Sequence, residues 1–394
     1  MTIWLVYNIL IFIINSLLQL NIFKQFSSFR QQQLLFKEAM VNYTPKANSF
    51  WFVVSSAGEF EQALPLIKII KQEKKDSHIV VSFFSKSGFD LFTKHNLVDF
   101  SFYFPLDTKH NAQLMVEKIK AQAVFFIRYE IWLNTLVALK AKQTPTFLIN
   151  QEDKKRSFIY QKYLYYSYTY FTKIFNVNQF GDTKIEQAIA HKIDNFEDKQ
   201  LETFCSNNLV ILLASCYLEE VRIVAHWYCS LNNKENIKII VCPHEPTEDF
   251  YRTCNVLFED KFFRYSESDR IWKNLLYIDK KGVLKYLYRY ATISFIGGGF
   301  NNKLHNIFEA LIYDTVVCCG NNISKFAMEE NLAKEQIIFL ISNEDDWCQL
   351  IDTISNDKKS QVKTLEMANK NKFLEQHLNT SQRIWNTIVS LVQI

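Results

Sequence analysis

The sequence predicts two doubly wound α/β domains, each a parallel sheet layered with helices, preceded by a membrane-associated N-terminal helix. Three features predict it: short apolar runs alternating with segments of helical apolar spacing, a charged stretch that splits the alternation in two, and an opening segment free of charge. With 394 residues at 48% hydrophobic content, the chain exceeds one ordinary core and fills two of roughly 150 to 200 residues each.

The opening segment comes first. No charged side chain occurs over residues 2–23, and a helix of that length measures about 33 Å, roughly the thickness of a bilayer core. The segment lacks the basic start and small-residue cut site of a cleavable signal. Lys24 and Arg30 follow it, which places the remainder on the cytoplasmic side by the positive-inside rule. Asn8, Asn15 and Gln19 share one helical face; that polar stripe also suits a helix lying in the interface or packed against protein.

From about residue 48, strand-like runs at 50–56, 79–84, 100–104, 123–127 and 146–149 alternate with helix-like segments such as 59–71 and 111–120. A second series follows at 209–214, 237–241, 275–278, 292–296 and 315–319. The expected domains are an anchor helix at 1–24, a Rossmann-like domain at 25–185, a linker at 186–208, a second Rossmann-like domain at 209–375, and a C-terminal helix at 376–394 expected to pack back on the first domain. In such sheets ligands sit beyond the carboxyl ends of the strands, so two facing domains would make a cleft and chemistry belongs in the turns after strands.

The formal charge of +4 from 45 basic and 41 acidic residues leaves no nucleic-acid footprint, which would be more basic and clustered. Eight cysteines contain no CxxC pair, and several sit in strand-like runs; they read as core fillers in a reducing compartment. Only eight glycines occur, at 58, 88, 181, 282, 297, 298, 299 and 320, so their places are informative.

Four turns carry chemistry-bearing residues. Ser55-Ser56-Ala57-Gly58-Glu59 follows the first strand-like run. Ser56 with Glu59 three residues on spells a helix capping box, and Glu59 also stands where a carboxylate can take a proton from an attacking hydroxyl. Ile127-Arg128-Tyr129-Glu130-Ile131-Trp132 ends another run on the same sheet edge, where Glu130 is either a helix-start charge or a partner of Glu59. Gly297-Gly298-Gly299, followed by His305, Asn306 and Glu309, reads as strand, glycine turn and helix, a form that lets backbone amides approach a phosphate while Glu309 reaches ribose hydroxyls. The alternative there is a tight turn without a ligand. It is neither a dinucleotide GxGxxG nor a Walker loop. Cys242-Pro243-His244-Glu245-Pro246 holds a lone His with no second ligand at metal spacing, so no metal is expected.

In this order the four turns resemble the Kdo (3-deoxy-D-manno-octulosonic acid) transferase family, particularly its Bacteroidota-like members. The resemblance rests on SSAGEFEQALPLI, on PLD at Pro105 to Asp107, on RYEIW, on PHE at Pro243 to Glu245, and on GVLKYLYRYATISFIGGGFNNKLHNIFEALIYDTVVCCG. It implies a GT-B fold, CMP-Kdo as donor substrate with no cofactor, a lipid A precursor as acceptor, and inversion without a metal. It makes Glu59 the catalytic base and Glu130 a second acidic residue on the acceptor side, with Ser56 and Gly58 in the same motif. Ser215, His244, Gly297, Gly298, Gly299, Asn306 and Glu309 match the donor side. The chain departs from the family pattern at Val53, where the family carries His, at Ser215-Cys216-Tyr217 and at Asp314-Thr315-Val316. Two other readings of the same fold are another nucleotide-sugar transferase or epimerase, and a non-catalytic member of the family.

Overall fold

The computed structural model describes residues 2–19, 27–128, 130–153, 157–192, 196–267, 271–355 and 359–392. The chain divides into two compact units: Met1–Gln187 together with Gln376–Ile394, and Ala188–Glu375.

Unit 1 is built on six parallel strands: β1 (Ser49–Val54), β2 (His78–Phe83), β3 (Phe100–Tyr103), β4 (Ala123–Ile127), β5 (Thr146–Gln151) and β6 (Lys173–Asn176). Their order is β3-β2-β1-β4-β5-β6. All six residues of β1 are buried, as befits a parallel strand covered on both faces. Its side chains alternate: Phe50, Phe52 and Val54 join one core, Trp51 and Val53 the other. The first core includes α3 (Ala57–Glu73) and the C-terminal helix Thr380–Val392, whose Ile384, Trp385 and Ile388 are fully buried in it. The Trp385 indole donates to Glu73 at 2.7 Å.

Before β1 run α1 (Thr2–Gln19) and α2 (Ser27–Asn42). Among the described residues no helix is long and apolar enough to cross a membrane, and residues 20–24 of the expected anchor lie outside the described residues. The amphipathic arrangement of α1 is inverted. Trp4, Tyr7 and Asn8 bond to unit 1, with Ile11 and Leu18 buried beside them. Leu5, Val6, Ile9, Leu10, Phe12, Ile13, Ile14 and Leu17 are exposed, Phe12 at 69%. Asn8 of the polar stripe thus faces protein, and the apolar face points outward.

Unit 2 holds seven parallel strands: β7 (Leu209–Cys216), β8 (Ile237–Pro243), β9 (Phe263–Arg264), β10 (Leu275–Tyr277), β11 (Ile293–Ile296), β12 (Val316–Gly320) and β13 (Phe339–Ile341). Their order is β13-β12-β11-β7-β8-β10-β9. Around the junction of the units the chain is helical, with Thr183–His191 and Lys199–Cys205.

In both units the strand order reverses at the first strand. In unit 1, β1 pairs with β2 on one side and β4 on the other; in unit 2, β7 pairs with β8 and β11. Such a reversal opens a crevice at the carboxyl ends of the flanking strands. Each pair of motifs found in the sequence falls at one of these two points.

Candidate active site

In unit 1, β1 ends at Val54 and α3 starts at Ala57 with Ser56 as its N-cap. The Glu59 amide donates to Ser56 Oγ at 3.4 Å, and Glu59 Oε2 accepts from the Ser55 amide at 2.5 Å. The capping role is therefore real, and it holds the carboxylate at the crevice. Glu59 is 9% exposed. Burial raises its pKa, while the Ser55 and Ser56 amides and the Arg128 charge pull it back.

Glu130 follows β4 and is 8% exposed. Burial first, and then the charge of Glu59, push its carboxyl up to about 7, against hydrogen bonds from Trp132 and Ser55. The two carboxylates thus form one buried, interacting pair in which Glu130 holds its proton longer. Tyr129 between Arg128 and Glu130 lies outside the described residues.

Arg128 organises the floor of the pair. Its guanidinium donates to Gln62, Glu152 and Asp182, the last at 2.7 Å. Its backbone sits in the left-handed region at φ 57, a conformation that non-glycine residues hold only where surroundings enforce it. Asn150 joins the same network through Gln62 and Thr183. A side chain so fully paired orients its neighbours rather than meeting substrate.

The raised pKa of Glu130 has a stability consequence. Between the ordinary glutamate range and about 7, the folded chain keeps a proton that the unfolded chain has released, so stability falls as pH rises through that window and levels off above it. Glu130→Gln removes the penalty. We expect the variant to exceed the parent at pH 8 by on the order of 3 kcal/mol, with the gap closing toward pH 5, measured by urea unfolding.

In unit 2, Ser215, the last residue but one of β7, lies in the left-handed region at φ 48, at a register shift between Ala214 and Cys216. Beside it, His244 follows β8 and is exposed, with its amide bonded to Cys216 O at 3.1 Å. The glycine turn follows β11. A Cβ on Gly297 would meet the Ser215 carbonyl, one on Gly298 the Lys303 carbonyl, and one on Gly299 the backbone of Gly320. Gly298 also has φ +84. These glycines are required by backbone packed on backbone.

Two of the three glycine amides are engaged within the protein. Gly297 N donates to Ala214 O, and Gly298 N donates to the buried Glu220 carboxylate, each at 2.9 Å. A helix does not follow at once either; the next is the single turn Phe308–Leu311. The turn therefore differs from a cradle of free amides opening a helix, because Glu220 occupies the place an anion would take at Gly298. Glu220 was not singled out in the sequence, although its spacing from Tyr217, whose amide it accepts at 2.8 Å, is that of a capping box.

What the turn does is hold side chains together. His305 N bonds to Gly297 O at 3.1 Å, which brings its ring to 4.5 Å from His244 and 5.8 Å from Tyr217, centroid to centroid. The Tyr217 hydroxyl and His305 Nε2 share a hydrogen bond of 3.2 Å. Burial and the neighbouring His244 lower the His305 pKa to about 4, so it is neutral at physiological pH. Asn306 Nδ2 donates to Glu309 Oε1 at 2.9 Å. Ser215, His244, the glycine turn, Asn306 and Glu309 thus share one end of the unit 2 sheet. No group of three or more metal-ligating side chains occurs among the described residues.

The chain is similar to several known proteins. The family model of the 3-deoxy-D-manno-octulosonic-acid transferase N-terminal domain matches residues 28–194. The first half of the chain is thus similar to the Kdo transferase family. It is 25% identical over 346 residues to a bifunctional glycosyltransferase/methyltransferase of Fusobacterium nucleatum, covering 79% of this chain and 53% of that protein, so it spans about half that relative's length. It is 24% identical to the 3-deoxy-D-manno-octulosonic acid transferase of Chlamydia trachomatis, covering 87% of this chain and 85% of the relative. With the Aquifex aeolicus transferase it shares 25% identity over 86% of this chain and 97% of the other. Among solved structures, UDP-GlcNAc 2-epimerase of Neisseria meningitidis superposes with a TM-score of 0.64 at 13% identity, covering 87% of this chain and all of that one. Acinetobacter baumannii MurG gives 0.54 at 11%, over 88% and 99%. These structures share the GT-B fold expected for a Kdo transferase.

Proposed function

We propose that the chain moves Kdo from CMP-Kdo to a lipid A precursor, inverting the transferred carbon without a metal. The observation that carries this is the buried Glu59 and Glu130 pair at the reversal point of the unit 1 sheet, in a chain whose residues 28–194 match the Kdo transferase family model. In the reaction an acceptor hydroxyl forms a bond to the anomeric carbon of Kdo while the bond from that carbon to the CMP phosphate breaks. The hydroxyl proton passes to Glu59, which later yields it to water. Glu130, protonated near neutral pH, orients the acceptor by donating a hydrogen bond.

On the donor side, Ser215, His244, the Gly297 to Gly299 loop, Asn306 and Glu309 bind CMP-Kdo and stabilise the departing phosphate. Because two glycine amides are engaged internally, the Ser215 hydroxyl and the exposed His244 ring carry the larger share of phosphate recognition. The outward apolar face of α1 supports attachment in the membrane interface, where a lipid acceptor resides. We place the protein at the inner membrane with both units on its cytoplasmic side.

Nucleotide choice tests the proposal. At about 100 times its Kd, CMP should add about 2.7 kcal/mol to native stability, which for a unit of this size raises Tm by roughly 5 to 10 °C. UDP should leave it unchanged. A shift with UDP and none with CMP would replace this reading with that of a UDP-sugar enzyme.

A further inference from the structure

The polar face of α1 reaches the segment that carries Glu130. Asp107, fully buried, accepts from the Tyr7 hydroxyl at 2.7 Å, from the amides of Asn134 and Thr135 at 2.8 and 3.0 Å, and from Thr135 Oγ1 at 2.6 Å. Asn134 and Thr135 open α4 (Leu133–Ala141), whose own N-cap, Trp132, makes no side-chain capping bond. Asp107 supplies that cap from 27 residues away. Asn134 also bonds to α1 twice, accepting from Trp4 Nε1 and donating to Asn8 Oδ1, each at 3.0 Å.

A second path starts at the same tyrosine. The Tyr7 ring stacks on Tyr163 at 5.9 Å, and Tyr163 donates to the Ile131 carbonyl at 2.7 Å. Trp132 Nε1 in turn donates to Glu130 Oε2 at 2.7 Å. Residues 130–132 are not helical. Their geometry is therefore set by these outside contacts rather than by a helical ladder.

We propose that α1 is a structural part of the carboxylate site, with Tyr7 and Asp107 as positioning residues that hold Glu130 through α4 and Tyr163. The proposal rests on the functional reading above, in which Glu130 meets the acceptor. Releasing the latch lets residues 130–132 relax and water reach the carboxyl. The groups facing Glu130 are Glu59 from α3, Ser55 at the end of β1, Trp132 beside it and Tyr163.

Tyr7→Phe is the informative change, since it removes the bond to Asp107 and keeps the ring stack; Asp107→Asn is the harsher companion. In the detergent-solubilised full chain, Tyr7→Phe should lower kcat roughly tenfold with KM for CMP-Kdo unchanged and CMP binding intact. The pH dependence of kcat should move with it. Val41→Ser, at an exposed position of α2 with no part in the latch, should leave kcat as in the parent. Carbon-13 NMR titration of the Glu130 carboxyl needs no substrate, and should show its pKa falling from about 7 toward the ordinary glutamate value in Tyr7→Phe. An unchanged Glu130 titration in Tyr7→Phe overturns the proposal, even if the parent transfers Kdo. A parent that transfers nothing while the titration moves overturns only the functional reading.

Discussion

Glu59→Gln is expected to lower kcat by roughly two to four orders of magnitude, the usual contribution of a positioned general base, while CMP binding stays as in the parent. The amide keeps the size of the carboxylate and can still accept from the Ser55 amide, as Glu59 does at 2.5 Å, so α3 should keep its start. What it loses is the ability to take a proton. Steady-state kinetics beside a CMP melting curve measure both halves. Loss of turnover with loss of fold would make Glu59 a helix cap alone, and full turnover would remove it from the chemistry. Because the Glu59 charge helps to raise Glu130, the same variant should also lower the pKa of Glu130.

Gly299→Ala is expected to be among the most damaging single-methyl changes in unit 2. The added Cβ would run into the backbone of Gly320, and no side-chain rotation relieves a clash of backbone on methyl. Overpacking of this kind costs about 3 kcal/mol or more, or roughly 6 to 12 °C in Tm, and CMP binding should fall with it as the β11 turn moves. Gly58→Ala is the contrasting case. Nothing lies within 4 Å of a Cβ there, and the residue sits in the first turn of α3, so thermal stability should hold or rise slightly. Loss of transfer in a stable Gly58→Ala protein would mean that the bare backbone is kept for the acceptor's approach.

The long buried strands were legible because parallel strands covered on both faces must be continuously apolar; β1, β4, β7 and β8 all announce themselves this way. Short edge strands did not. Lys173–Asn176 and Phe263–Arg264 are too brief and too mixed to leave a periodic signal. The polar stripe on α1 was visible, but a stripe does not say whether it meets water or protein; only Asn134 and Asp107, more than 100 residues distant at the farthest, decide that. The same limit hid the latch on Glu130, whose partners are remote in sequence. At the glycine turn the need for glycine was plain, whereas the engagement of the Gly298 amide by Glu220 depends on where a helix-start carboxylate points.

Transfer of Kdo by this chain can be read directly from the mass of the acceptor. The purified chain, given CMP-Kdo and a lipid A precursor in detergent, should yield a product heavier by one or more Kdo residues, with release of CMP in equal number. An acceptor of unchanged mass across a range of detergents and pH, from protein whose melting curve shows both units folded, would contradict the account.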